Sequence, residues 1–174
     1  LMPDRIVVGI NGGVGGQWSG DSDQKRKDVT DHSPLTSDHS AREMMEELYR
    51  PITRVGKPLV FMSRESAEIV KYASNAFLAT KISFINMLTE LCEITGSDIR
   101  DVAKGMGLDN RIGPRFLHAG IGYGGSCFPK DVKALMATAK DYGLSFPIIE
   151  ATDEVNTTQR NRFMKKILEK LPKK

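Results

Sequence analysis

The chain has 174 residues, 40% of them apolar, and a net charge of +3. That supports one globular domain, or one domain with a piece of another; the charge is mild, and its basic residues cluster at Lys25–Lys27 and the C-terminus, not along a stripe interleaved with aromatics, so it does not signal a nucleic-acid partner. Two cysteines, Cys92 and Cys127, make neither a disulfide framework nor a metal motif, so no metal site is expected.

Arg5–Ile10 is a short β-branched run and reads as a buried strand. Residues 11–40 are rich in Gly, Ser, Asp and Thr, with Trp18 almost the only large apolar group, and read as a long flexible loop. The run Gly12–Gly16 is not a dinucleotide fingerprint, because Trp18 stands at the third glycine site and no apolar helix follows. Ser40 is expected to cap a helix over Ala41–Tyr49, and Pro58–Met62 is a second strand. With Ser63 as N-cap, a helical pattern runs to Thr95, where Gly96 can end it. Its apolar residues cover more than one stripe, which predicts burial on most sides, partly by a second subunit. The most apolar stretch, Tyr72–Cys92, holds Asn75, Lys81, Asn86 and Glu90, so it is a buried helix and not a membrane span. Ser97 is expected to cap a short helix over Asp98–Lys104. Pro129 and Pro147 suit the first turns of two further helices, ending near Gly143 and Leu171. The order is strand, helix, strand, then helices only: the tail of an α/β domain followed by an all-α domain. No secretory leader opens the sequence, so a reducing, cytoplasmic setting is expected.

The strongest chemical signal is Gly122-Tyr-Gly-Gly-Ser-Cys-Phe-Pro-Lys-Asp131. Glycines allow close backbone approach to a ligand. A cysteine at a helix start, beside Lys130, has its negative sulfur stabilised by the helix dipole and by the cation. Asp131 lies one turn on, which gives an arrangement suited to covalent catalysis. The bland alternative is a structural cysteine beside a capping aspartate. Lys71 and Asn75, four apart on the long helix, can hold one oxygen between them, or be a snorkelling lysine and a helix-to-helix hydrogen bond. Cys92, next to Leu91, reads as a core side chain.

Three spaced motifs, Glu68–Asn86, Arg111–Pro114 and Phe116–Asp131, resemble the UDP-glucose 6-dehydrogenases of the UDP-glucose/GDP-mannose dehydrogenase family. The resemblance runs from about Arg64 to Gln159, and more thinly over residues 3–10 and 41–62. It implies oxidation of the C6 hydroxyl of a UDP-sugar to a carboxylate with two NAD. Cys127 would attack the intermediate aldehyde, and the resulting thiohemiacetal would be oxidised to a thioester that water cleaves. Lys71 and Asn75 match residues that hold the reacting oxygen, and Asp131 one that assists proton transfer. Phe116, Gly120, Tyr123 and Gly124 match the sugar-binding loop. Lys130 matches a position near the cofactor, and Arg111 an arginine that reaches substrate in the neighbouring subunit. The implied architecture is mainly α. Residues 1–62 would be the remnant of a Rossmann domain carrying the loop 11–40, and residues 63–174 an all-α central domain that dimerises through the long helix 63–95.

The sequence departs from the family in lacking its Rossmann fingerprint and its C-terminal cap domain, and His118 stands where many relatives have lysine. The chain alone is therefore expected to be inactive. The alternatives are a non-catalytic dimeric scaffold and the domain of a GDP-mannose or UDP-N-acetylmannosamine dehydrogenase.

Overall fold

A computed structural model describes residues 5–10 and 36–172. The loop expected over residues 11–40 therefore lies outside the described residues as far as residue 35. From Thr36 onward the chain is helical, five residues earlier than expected and without Ser40 as a cap. Helix propagation costs little once the turns around Met44 and Leu48 exist, and it overrides the polar composition of residues 36–40.

Two compact units divide the chain, Leu1–Lys71 and Tyr72–Lys174. In the first, strands β1 (Ile6–Ile10) and β2 (Leu59–Ser63) pair in parallel, Ile6 beside Leu59 and Ile10 beside Ser63. Parallel neighbours need a crossover connection. Helix α1 (Thr36–Thr53) lies in that connection and packs on β2. The Arg42 guanidinium lies over the Phe61 ring, 4.6 Å from its centroid.

Helix α2 (Arg64–Thr95) is 32 residues long, about 48 Å at 1.5 Å per residue. It starts where the sequence says it should: the Ser63 hydroxyl accepts the Ser66 N–H at 3.2 Å, satisfying one orphan donor of the first turn. It stops at Gly96, whose φ of 73° few other residues adopt. The Ser97 N–H then closes back on the Cys92 carbonyl at 2.9 Å.

From Tyr72 onward α2 is the spine of the second unit. Ala76, Ala79, Ser83 and Asn86 form its inner face. Small side chains there let neighbouring helices come close, and the Ser83 hydroxyl donates to the Thr152 carbonyl at 2.8 Å. Ala76, Ala79, Tyr123 and Val132 form the core, with Ile82, Phe128, Leu135, Met136 and Ile149 packed around them. Helix α3 (Ile99–Gly107) is capped by Asp98, which accepts the Arg100 N–H at 2.8 Å. The expected Ser97 cap and the end at Lys104 are thus both displaced towards the C-terminus. Asp98 wins because it also forks onto the Arg100 guanidinium. Helices α4 (Phe128–Asp141) and α5 (Pro147–Lys170) each carry proline in the first turn, as read, and pack on each other.

Among the described residues, one face of α2 stays open. Phe77, Phe84 and Leu91, seven apart, are 65%, 44% and 56% exposed, and Met87 and Ile94 extend the same seam. The described residues thus do not surround the helix. Ile85, the residue after Phe84, is by contrast fully buried inside the second unit. It lies one residue, or 100°, away from the seam. At the far ends of α2 and α5, Glu93 bonds both Arg162 and Lys166. The Lys166 hydrogen bond leads in holding the Glu93 carboxyl below its usual range.

Candidate active site

The glycine-rich stretch becomes a loop ending at the start of α4. Cys127 is the N-cap residue of that helix, and its side chain makes no cap hydrogen bond. Its carbonyl accepts the Asp131 N–H at 2.8 Å, the first bond of the helix. Pro129 suits this first turn, where an N–H would have no helical partner. The Cys127 thiol is free and exposed, with Ser126 Oγ 3.7 Å from its Sγ. Cys92 is free and buried, the core residue that its apolar surroundings predict.

The next residue anchors the thiol's position. The Phe128 ring meets Phe116 and Tyr123 edge-on, both at 6.1 Å between centroids. Phe116 adopts φ 67°, alone among the described non-glycine residues in the left-handed region. Holding a bulky residue there costs roughly 1–3 kcal/mol, and such strain concentrates at ligand-binding segments.

Asn75 and Asp131 are brought together. Asn75 Nδ2 donates to Asp131 Oδ2 at 2.6 Å. The Asp131 side chain is 2% exposed, with the Lys130 ammonium 3.9 Å from Oδ1 and itself 73% exposed. A buried carboxylate requires such charge-assisted bonds. The Cys127 thiol is thus open at the helix tip, and the Asp131 carboxylate is sequestered one turn inside α4. Lys71 belongs to the first unit, one helical turn before Asn75 on α2.

The sugar-loop candidates occupy distinct roles. Gly120 is held at both backbone groups: its N–H donates to Asn86 Oδ1 at 2.7 Å, and its carbonyl accepts from Gln159 Nε2 at 2.8 Å. Tyr123 is 4% exposed. Its hydroxyl donates to Asp153 at 3.1 Å. Burial, and then the Asp153 charge, push the phenol's ionisation well above its usual range. Gly124 is exposed. Arg111 is also exposed and forks onto Asp109 at 2.7 Å.

Sequence reasoning missed Asn156, Asp153 and Gln159 of α5, and gave Asn86 no role. Asn156 is 1% exposed; it accepts the Tyr123 N–H at 2.7 Å and donates to the Tyr123 carbonyl at 3.2 Å. The available signal was a run of polar residues three apart on a helix, which reads equally as a solvated face. Among the described residues there is no group of three His, Cys, Asp or Glu side chains able to hold a metal, and no helix long and apolar enough to cross a membrane.

Comparison with known proteins gives this geometry a context. Residues 65–158 match the family model described as the UDP-glucose/GDP-mannose dehydrogenase family, central domain. UDP-glucose 6-dehydrogenase of Rhizobium meliloti (strain 1021) is 45% identical over 166 residues, 95% of this chain and 32% of that protein. UDP-glucose 6-dehydrogenase TuaD of Bacillus subtilis (strain 168) is 51% identical over 133 residues, 76% of this chain and 28% of that protein. A solved UDP-glucose dehydrogenase from the hyperthermophilic archaeon Pyrobaculum islandicum superposes with a TM-score of 0.65 at 40% identity, covering 70% of this chain and 27% of that one. The chain spans about a third of the length of the curated relatives it matches. With motif order, helical architecture and family model in agreement, this chain belongs to the UDP-glucose/GDP-mannose dehydrogenase family and carries its central domain.

Proposed function

We propose that this chain supplies the cysteine-bearing central domain of an NAD-dependent UDP-glucose 6-dehydrogenase. The observation that carries the reading is the exposed Cys127 thiol at the tip of α4, with the buried Asp131 carboxylate one turn inside, bonded to the half-buried Asn75. Cys127 would add through sulfur to the C6 aldehyde of the UDP-sugar, forming a thiohemiacetal whose oxygen takes the negative charge. Lys71 and Asn75 would stabilise that oxygen, one as a cation and the other as an amide donor. Oxidation of the thiohemiacetal leaves a thioester on Cys127. Asp131 accepts a proton from the water that cleaves it, releasing the carboxylate and the thiol.

NAD, when bound, would supply the hydride acceptor for the two oxidations. The described residues of the first unit offer two strands, helix α1 and the first eight residues of α2, with no glycine-rich turn among them opening a helix onto a phosphate. These residues do not by themselves fit a dinucleotide, so NAD would be held by residues beyond those described, with Lys130 near it. Alone, the chain is expected to produce no NADH. The loop Phe116–Gly124 would receive the sugar and Arg111 would serve the neighbouring subunit, because the open seam of α2 fits two-fold pairing of the long helices in a homodimer. That seam equally favours the second reading, a dimeric scaffold without catalysis.

A labelling experiment separates these readings. Cys127 is alkylated with iodoacetamide in timed samples, with and without UDP-glucose, GDP-mannose or UDP-N-acetylmannosamine. UDP-glucose is expected to slow labelling and the other two to have little effect. Protection by GDP-mannose or UDP-N-acetylmannosamine instead moves the substrate to that sugar. No protection by any of them, at concentrations that saturate the relatives, leaves the scaffold.

A further inference from the structure

The loop that carries Cys127 has no secondary structure of its own, and side-chain amides from two helices satisfy its backbone. Asn86 of α2 and Gln159 of α5 take the N–H and the carbonyl of Gly120. Asn156 of α5 takes both polar groups of Tyr123. A carboxamide presents the same donor and acceptor as a peptide group, so Asn156 does for Tyr123 what a neighbouring strand would do. The fit is close. Gly122, at φ 111°, lies so near that a Cβ on it would fall 2.4 Å from Asn156 Oδ1. Asp153, one helical turn earlier on α5, receives the Tyr123 hydroxyl.

Downstream of this clamp, residues 124–127 are all exposed until Phe128 enters the core. The Tyr123 and Phe128 rings touch. Cys127 therefore hangs on a short span between two anchors, and the upstream anchor is fixed by Asn156.

We propose that Asn156 is a positioning residue for Cys127: through its two bonds to Tyr123, helix α5 sets the conformation of the segment that presents the thiol. This rests on the reading of Cys127 as nucleophile.

The test is Asn156→Asp in the full chain. This near-isosteric change keeps an acceptor for the Tyr123 N–H and turns the donor facing the Tyr123 carbonyl into an anionic oxygen. The ionisable groups tied to its partner Tyr123 are the phenol itself and Asp153, with Arg160 acting on that phenol through its charge. At pH 7.5 the variant should keep its helical circular dichroism. It should lose at least tenfold in hydrogen-exchange protection at the Tyr123 amide, and at least threefold in the Cys127 alkylation rate. On acidification the introduced carboxyl gains a proton, which restores a donor, so the Tyr123 amide proton shift should return towards its wild-type position. A role in packing alone would show no such recovery.

Unchanged Cys127 labelling despite lost Tyr123 protection, or no recovery on acidification, overturns the proposal. If the variant does not fold, the wild-type chain decides: the Tyr123 amide must exchange as slowly as the interior amides of α5, and fast exchange there overturns the proposal as well. A wild-type Cys127 no more reactive than in the unfolded chain defeats the nucleophile reading. A reactive wild-type Cys127 that Asn156→Asp leaves unchanged defeats the positioning role alone.

Discussion

Gly122→Ala puts the loop geometry to a quantitative test. Two effects add. The backbone at φ 111° is one that L side chains rarely adopt, which costs roughly 1–3 kcal/mol for a non-glycine residue. The new methyl would also sit 2.4 Å from Asn156 Oδ1 and 3.3 Å from its Cγ, so the Asn156 side chain has to leave. Its two bonds to Tyr123 go with it, each contributing about 1 kcal/mol, and buried groups left unsatisfied push the loss higher. The total is about 3–5 kcal/mol, a large part of the 5–15 kcal/mol that domains typically possess. Urea unfolding followed by helical circular dichroism reads this directly. With a slope of about 1–3 kcal/mol per molar urea, the midpoint should fall by roughly 2 M. Gly124→Ala is the control: nothing lies within 4 Å of its Cβ, and its midpoint should move by less than about 0.5 M, the scale of an ordinary surface change. Equal midpoints for the two variants would refute the claim that Gly122 and Asn156 form a rigid contact.

Three further outcomes follow from the same geometry. Asn75→Ala strips the buried Asp131 carboxylate of a 2.6 Å donor and should cost about 1–3 kcal/mol in thermal or urea unfolding; an unchanged midpoint would mean the pair is not formed in solution. Phe84→Glu places a charge in the open seam of α2; sedimentation equilibrium at micromolar concentration should show a dimer for the parent chain and a monomer for the variant. Asp98 caps α3 and pairs with Arg100. The Arg100 side-chain bond leads in lowering its carboxyl from 3.8 to about 2. A lowered value means its contribution is complete above pH 3.8 and is lost as pH falls through about 2, which a carbon-13 titration of the Asp98 carboxyl would follow.

Much of the fold was legible because punctuation residues act locally. Ser63, Gly96, Pro129 and Pro147 each fix a helix end through groups within one turn, so their sequence context carries the information. Asp98 and Thr36 show the limit of that reading. Choosing Asp98 over Ser97 depended on the pairing with Arg100, and α1 ran into a polar segment because extending an existing helix is cheap. Cys127 was legible because its chemistry sits in one contiguous motif. Asn156, Asp153 and Gln159 were not, since their partners Tyr123 and Gly120 lie 30 or more residues away. Amides on a helix look the same in sequence whether they face water or a loop. Ile85 and Phe84 differ by one position and land on opposite sides of the question of burial. The apolar pattern covers most of α2, and only the packing of α4 and α5 decides which stripe is left open.

The proposed chemistry needs Cys127 to be a nucleophile presented by the helix tip, and timed alkylation is the sharpest test of that. Both cysteines are labelled with iodoacetamide at neutral pH, in the native chain and in urea, and their rates are read by peptide mass mapping. A cysteine at a helix N-terminus beside a lysine gains reactivity from the fold, whereas a buried one loses it. Native Cys127 should react faster than the same residue in the unfolded chain, and at least tenfold faster than native Cys92. Equal rates for the two native cysteines, or a Cys127 that reacts faster only after unfolding, would contradict the account.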